Sequence, residues 1–193
     1  MDSQMTFLEL VHKRSSIRKY KTLTVNKDLI LRALEAARLA PSACNSQPWH
    51  FVIVDNPVQV QGLAEATFLP LSKLNRFVKE APVIVAVVSE KPNVLSAVGG
   101  YIHNKPYYLM DVGMAVEHFC LQAAEDSLGT CIIGWFNEKK VKEYLRVPRR
   151  KSIPLLITLG YPEEDLGKVK HRIPVDSIYS FGFYNKRTLK SPF

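Results

Sequence analysis

Between Arg14 and Tyr20 the chain reads RSSIRKY, which sets two guanidinium groups and two hydroxyls inside five residues. Arginine forks, hydroxyl donors and free backbone N–H groups are what hold a phosphomonoester, which carries about two negative charges at neutral pH. Basic residues after an amphipathic helix are also ordinary solvated surface. A second stretch, APSACNSQPWHFVIV from Ala40 to Val54, gathers Ser42, Asn45, Ser46 and Gln47 between Pro41 and Pro48. A polar, proline-stiffened loop entering a core strand suits a planar, heteroatom-rich ligand, with Trp49 as an aromatic surface. It equally suits a well-ordered connector with Trp49 in the core. Further cations stand in RVPRRK, Arg146 to Lys151, and in KVKHR, Lys168 to Arg172.

What is missing narrows the chemistry. Neither G-x-G-x-x-G nor G-x-x-x-x-G-K-[ST] occurs, so any phosphate must be held without the common glycine-rich loops. His12, His50, His103, His118 and His171 have no metal-ligand spacing, and Cys44, Cys120 and Cys131 form no C-x-x-C pair. That argues against a zinc site or a disulfide framework. No Ser-His-Asp or Cys-His arrangement is legible, and no catalytic side chain is assigned.

Net charge is +8, from 26 Lys and Arg against 18 Asp and Glu. The positive residues fall in dispersed clusters, which disfavours a nucleic-acid partner. The longest apolar run, Ala81 to Val88, is strand-sized, so no membrane span is expected. The N-terminus lacks the basic-then-apolar pattern of a secretory signal, and a cytoplasmic location is the default expectation.

The elements that must position these groups read as one domain over residues 1–193. MTFLELVHKR is a short helix. NKDLILRALEAARLAP is a second, capped by Asn26, with Leu29, Ile30, Ala33, Leu34 and Ala37 as its apolar stripe. His50 to Asp55 is a strand, a short helix begins at Pro57, and PVIVAVV is a strand covered on both faces. Tyr108 to Leu128 is a long central helix ended by Gly129. TCIIGWF is a strand, NEKKVKEYL a helix with Asn137 as cap, and IPLLITLGYP a final buried strand. From Pro174 the chain mixes aromatic and polar groups without a period. The outcome is an α+β fold with helices around a sheet.

These stretches, in this order, resemble the nitroreductase family of FMN-dependent oxidoreductases. DVGMAVEHFCLQAAEDSLGTCIIGWFNEKKVKEYLRVP, Asp111 to Pro148, is similar to the family's central helix, next strand and short helix. LLITLGYPEEDLGKVKHR resembles its closing strand and basic tail, so the likeness runs from about Phe7 to Arg172. The resemblance implies a central, mostly antiparallel sheet of about four to five strands, and a homodimer with FMN at the subunit interface. It implies that residues 174–193 are a domain-swapped arm towards the partner subunit.

The same resemblance implies that Arg14, Ser15 and Ser16 bind the FMN phosphate, with Lys170 and Arg172 as further phosphate ligands. Arg18 would lie at the flavin's pyrimidine end. Pro41, Ser42, Ala43 and Asn45 would reach the flavin of the partner subunit, while Gln47 is either a ligand or a local brace. Ile133, Gly134 and Trp135 would approach the ring, Trp135 alternatively being core. Pro92 to Tyr108 is a candidate mobile cover or a plain surface loop. NADH or NADPH would supply electrons for a small-molecule acceptor such as a nitroaromatic or quinone. A module that stores or senses FMN without turnover is the alternative.

Overall fold

Capping signals decide where most helices begin. The computed structural model describes residues 5–69, 74–91, 94–102, 104–163 and 170–184. Helix α1 (Phe7–Lys13) opens on a reciprocal capping box: Thr6 Oγ1 accepts the Glu9 N–H, and the Glu9 carboxylate accepts the Thr6 N–H. The Asn26 side chain caps α2 (Lys27–Arg38), which buries Ile30, Ala33 and Ala37 as its periodicity predicts. Strand β1 (Trp49–Val54) begins one residue before the predicted start. Helix α3 (Pro57–Ala66) follows, capped by Asn56, with Pro57 in the first turn where its missing N–H has no partner to lose.

Strand β2 (Val83–Ser89) is buried at every position, as a continuous apolar run must be when both faces are covered. Helix α4 (Val94–Ile102) occupies part of the stretch expected as a cover. Residues 92, 93 and 103 of that stretch lie outside the described residues. Helix α5 (Tyr107–Glu125) is the long central helix. It stops before Gly129, and Ser127 (φ 60°) takes the left-handed backbone that the sequence assigns to that glycine. Gly129 instead opens β3 (Gly129–Ile133), which ends short of Gly134 to Phe136. Asn137 caps α6 (Glu138–Leu145), and β4 (Ser152–Gly160) closes the sheet.

The four strands are antiparallel in the order β1-β2-β4-β3. On one face Val83, Val85 and Val87 of β2 pack with α2 and with Val112, Val116 and Phe119 of α5. Phe119 stacks on Phe51 with ring centroids 5.9 Å apart. On the other face Ile84, Ala86 and Val88 meet Val60 and Leu63 of α3 and Val141 of α6. The central placement predicted for α5 therefore holds for its buried face. Its first turns expose Leu109, Met110 and Met114, so the apolar circumference there is not used within one chain.

Beyond β4 the described residues include a short helical turn, Val175–Ser177, and then expose Phe181, Phe183 and Tyr184. The rest of the expected arm, residues 185–193, lies outside the described residues. Among the described residues no helix is long and apolar enough to cross a membrane.

Gly160 sits where β4 passes Pro82 and Tyr20. An added Cβ would lie 2.6 Å from Pro82 Cδ and 2.9 Å from Tyr20 Cδ1. Both are ring atoms with little room to swing. Gly160→Ala should therefore cost about 1–3 kcal/mol and lower the melting temperature by roughly 3–10 °C in a thermal melt.

Candidate functional site

The segment from Arg14 to Tyr20 is fastened along the edge of β3. Ile17 N–H donates to the Thr130 carbonyl at 2.8 Å, and Ser16 pairs with Thr130 in parallel sense. Gly129 makes this approach possible, because any Cβ there would lie 2.8–2.9 Å from the Ile17 side chain. At the far end Tyr20 Oη donates to the Ile17 carbonyl at 2.7 Å and shares a 2.7 Å hydrogen bond with Thr158 Oγ1. Tyr20 is buried, and burial pushes its pKa upward, so the phenol stays neutral and able to donate.

This anchoring presents Arg14 to two other cations. Arg14 Nε lies 3.5 Å from Glu117 Oε1 of α5, and its side chain is largely buried. Lys170 Nζ donates to the Val11 carbonyl near the end of α1. The Lys170 ammonium is held below the usual lysine range by desolvation first, then by the charges of Arg14 and Arg172, with Glu117 opposing. The structure thus brings Arg14, Lys170 and Arg172 into one electrostatic group with Glu117 as the nearby carboxylate. Beside Arg14, Ser15 Oγ is buried without a hydrogen-bond partner among the described residues. Leaving such a hydroxyl unpaired costs about 1–3 kcal/mol. Mutually repelling cations next to an unsatisfied donor are the arrangement that a phosphate group relieves.

Arg18 stands apart, exposed, with its guanidinium carbon 5.7 Å from the Phe77 ring centroid. Both arginines still face the middle of β3. Burial raises the Cys131 thiol pKa, and Arg18, Arg14 and a hydrogen bond from Ser16 act in the opposite direction. Cys120 is buried and pushed up to about 12, chiefly by desolvation, which makes it an inert core thiol.

The 41–48 loop is strained and braced. Cys44, Asn45 and Gln47 all have left-handed backbones, with φ of 53°, 51° and 46°. Such conformations cost non-glycine residues of order 1 kcal/mol or more each and persist where the surroundings enforce them. Three contacts do so here. Ser42 Oγ accepts the Gln47 N–H at 2.9 Å, Gln47 Nε2 donates to Asn45 Oδ1 at 3.0 Å, and Ala43 N–H donates to Asp111 Oδ1 at 3.1 Å. Gln47 is thus a brace within the loop. Pro41, Cys44 and Asn45 are exposed, Ser42 and Ala43 half-buried, and Trp49 packs against the core rather than offering a free face.

Ile133 is buried at the end of β3, whereas Gly134 is exposed and Trp135 is 68% exposed, so Trp135 is not core. Phe136 fills the core position instead. An added Cβ at Gly134 would meet only Leu155 Cδ2, at 3.6 Å, which leaves the space above it open. The segment is pinned by Asn75, whose Nδ2 donates to the Trp135 carbonyl at 2.9 Å and to the Thr67 carbonyl at 3.2 Å.

Sequence reasoning assigned no role to Asn75, Phe77, Asp111 or Glu117. Asp111 had a legible signal, being a carboxylate in the otherwise apolar run YYLMDVGMAV; it is 2% exposed and its Oδ2 has no hydrogen-bond partner among the described residues. Asp111 holds the 41–48 loop and Glu117 holds Arg14, about 9 Å apart along the same helix. Asn75 had no signal, since its partners are backbone carbonyls, those of Thr67 and Trp135, which leave no mark in residue identity.

Residues 11–161 match the Nitroreductase family, and the chain belongs to it. It is 29% identical over 192 residues to an NADH dehydrogenase of Thermus thermophilus, covering 86% of this chain and 91% of that one. A nitroreductase family protein from Clostridium novyi NT shares the fold with a TM-score of 0.73 and 32% identity, covering 86% of this chain and 89% of that one. An FMN-dependent nitroreductase from Clostridium difficile superimposes with a TM-score of 0.72 at 27% identity, covering 94% of this chain and all (100%) of that one. The architecture expected from the sequence, an α+β nitroreductase fold around an antiparallel sheet, is the one observed.

In the folded chain Lys170 loses its proton below the ordinary lysine range. Between that lowered value and the ordinary 10.5 the unfolded chain binds more protons than the folded one, so this residue makes stability rise with pH across that window. Lys170→Met should flatten that part of the rise relative to the parent protein in denaturant titrations at successive pH values. Arg14→Ala should move the Lys170 pKa upward by NMR.

Proposed function

We propose that the protein is a homodimeric FMN-dependent oxidoreductase that takes hydride from NADH or NADPH and reduces nitroaromatics, quinones or similar small acceptors by a ping-pong mechanism. The convergence of Arg14, Lys170 and Arg172 beside the unpartnered Ser15 hydroxyl carries this reading. The group has the charge and donor set of a phosphomonoester site, in a family whose solved members include an FMN-dependent nitroreductase. A cytoplasmic place, with access to reduced nicotinamide, belongs to the same proposal.

When bound, FMN would supply the hydride-transfer chemistry that links the nicotinamide to a second substrate at the same site. This chain's residues then divide the work of holding it. Arg14, Ser15, Ser16, Lys170 and Arg172 would take the phosphate, and Glu117 keeps Arg14 aimed. Arg18 would face the pyrimidine end, where a fixed cation stabilises the negative charge that reduction leaves there. Ile133, Gly134 and Trp135 would approach the ring, with the missing Cβ of Gly134 leaving room for it. Pro41, Ser42, Ala43 and Asn45 would border the cofactor of the partner subunit, in the shape that Asp111 maintains.

Dimerisation answers a second need. Phe7 and Leu8 of α1, Met110 and Met114 of α5, and Phe181 and Phe183 of the C-terminal segment are all exposed in the single chain. Apolar surface of this extent favours burial against a second copy. Residues 174–193 would be the arm that wraps the partner.

The purified protein should be yellow, and anaerobic NADH or NADPH should bleach it. A colourless protein that gains no flavin absorbance on addition of FMN would overturn the proposal. A yellow protein that neither nicotinamide reduces within minutes would instead be a flavin store or sensor. The two arginines should also separate: Arg14→Ala should mainly weaken FMN retention, seen by dialysis, whereas Arg18→Ala should mainly lower the flavin's reduction potential. Equal loosening of FMN with no change in potential would show that the roles are not divided.

A further inference from the structure

A cavity of about 460 Å³ opens at the end of the sheet where β2 finishes and β4 begins, away from the Arg14 group. Its walls carry Lys91, Arg150 and Lys151, with Glu90, Ser89 and Tyr108. Glu90 clamps Lys151 in a close ion pair, while Lys91 and Arg150 have no ion-pair partner among the described residues. Among the described lining residues, three cations against one carboxylate leave an excess of two positive charges. That excess matches the roughly two negative charges of a phosphate monoester at neutral pH. The Ser89 and Tyr108 hydroxyls add neutral donors, and the Tyr108 ring adds an aromatic wall.

The cavity is tied to the foot of the 41–48 loop. Glu90 N–H donates to the Pro48 carbonyl at 3.0 Å, and Trp49 pairs with Ser89 in the sheet register. In the same register Ser89 pairs with Ser152, the first residue of β4, while Ile133 at the end of β3 pairs with Leu156. The cavity and the Ile133–Gly134 corner are therefore about 13 Å apart along β4. An extended dinucleotide spans that distance.

We propose that this cavity is a second anion site, one that binds a phosphate monoester carried by a substrate of the oxidoreductase; the substrate part of this inference rests on the function proposed above. The 2′-phosphate of NADPH is one source of that group, and a phosphorylated electron acceptor is the other. Lys91 and Arg150 are the principal ligands, and Lys151, fixed by Glu90, is a preorganised third. Both unpaired cations are exposed, so their removal leaves the core intact.

The test uses the full chain with FMN in excess, so that the Arg14 group is filled, and compares it with Lys91→Ala, Arg150→Ala and the double variant. Calorimetry measures binding of 2′,5′-ADP, 5′-AMP and phenyl phosphate; steady-state rates give kcat/KM for NADPH and for NADH. If the source is NADPH, the NADPH-to-NADH ratio of kcat/KM falls about tenfold or more in the double variant, and 2′,5′-ADP loses its advantage over 5′-AMP. If the source is a phosphorylated acceptor, the ratio holds while phenyl phosphate binding weakens about tenfold. Either result supports the site and identifies its ligand. Parent protein that binds none of the phosphate probes, or variants that bind them as the parent does, would overturn it. A protein without flavin turnover whose phosphate binding still falls in the variants would leave the anion site standing and remove only the oxidoreductase reading.

Discussion

The contact on which the rest depends is the one between Ile17 and the bare backbone of Gly129. Because no Cβ stands at Gly129, the segment after α1 lies flat against β3 and bonds Thr130. Tyr20 then closes the other end through Thr158 and the Ile17 carbonyl. Five residues with arginine at each end would otherwise be a solvated basic turn. Held at both ends, they become a rigid strip with Arg14 directed to α5 and Arg18 to Phe77. The phenol that secures the strip is kept neutral by the same burial that makes its hydrogen bonds strong.

The strip stores electrostatic strain. Arg14, Lys170 and Arg172 lie close enough for two of them to depress the ionisation of the third, and Glu117 only partly offsets this. The loop at 41–48 stores strain of another kind, in three left-handed residues that are not glycine. Both are organised by α5, whose Glu117 faces the cations and whose Asp111 holds the loop. Neither feature lowers the energy of the isolated chain, and on the function proposed above each is prepared for a ligand rather than for the fold's stability.

How much of this could be read from sequence depended on the range of the interactions. Asn26, Asn56 and Asn137 sit next to the helices they cap, and the apolar stripe of α2 and the run of β2 declare their own burial. Those elements were legible from local pattern and the resemblance added their order. The end of α5 was misplaced because glycine is the usual left-handed residue, yet Ser127 takes that role and Gly129 is kept for a contact 112 residues away in sequence. Helix α4 was hidden by its paired glycines, which read as a loop. In the site, the cations of RSSIRKY and KVKHR were visible as residue types. Their grouping came only from the resemblance, since the contacts behind it run through Val11 and Glu117, which no local pattern marks. Asn75 was invisible for the same reason, because a side chain that binds only backbone leaves no trace in the identity of its partners.

The sheet order explains why one small domain can carry two separate positive sites. Strand β3 lies at one edge and brings the Arg14 strip with it, while in the middle of the sheet β2 finishes and β4 begins beside Lys91, Arg150 and Lys151. The two groups lie at opposite ends of β4, and the strand between them, β2, is apolar from Val83 to Val88, so their charges do not have to be solved together. Each is instead matched to its own nearby carboxylate, Glu117 for one and Glu90 for the other. A net charge of +8 that reads in sequence as dispersed surface is, in three dimensions, partly concentrated at two ends of one sheet. Dispersal along the chain is therefore a poor guide to dispersal in space, and for a chain of this topology it argues against a nucleic-acid stripe without arguing against anion binding.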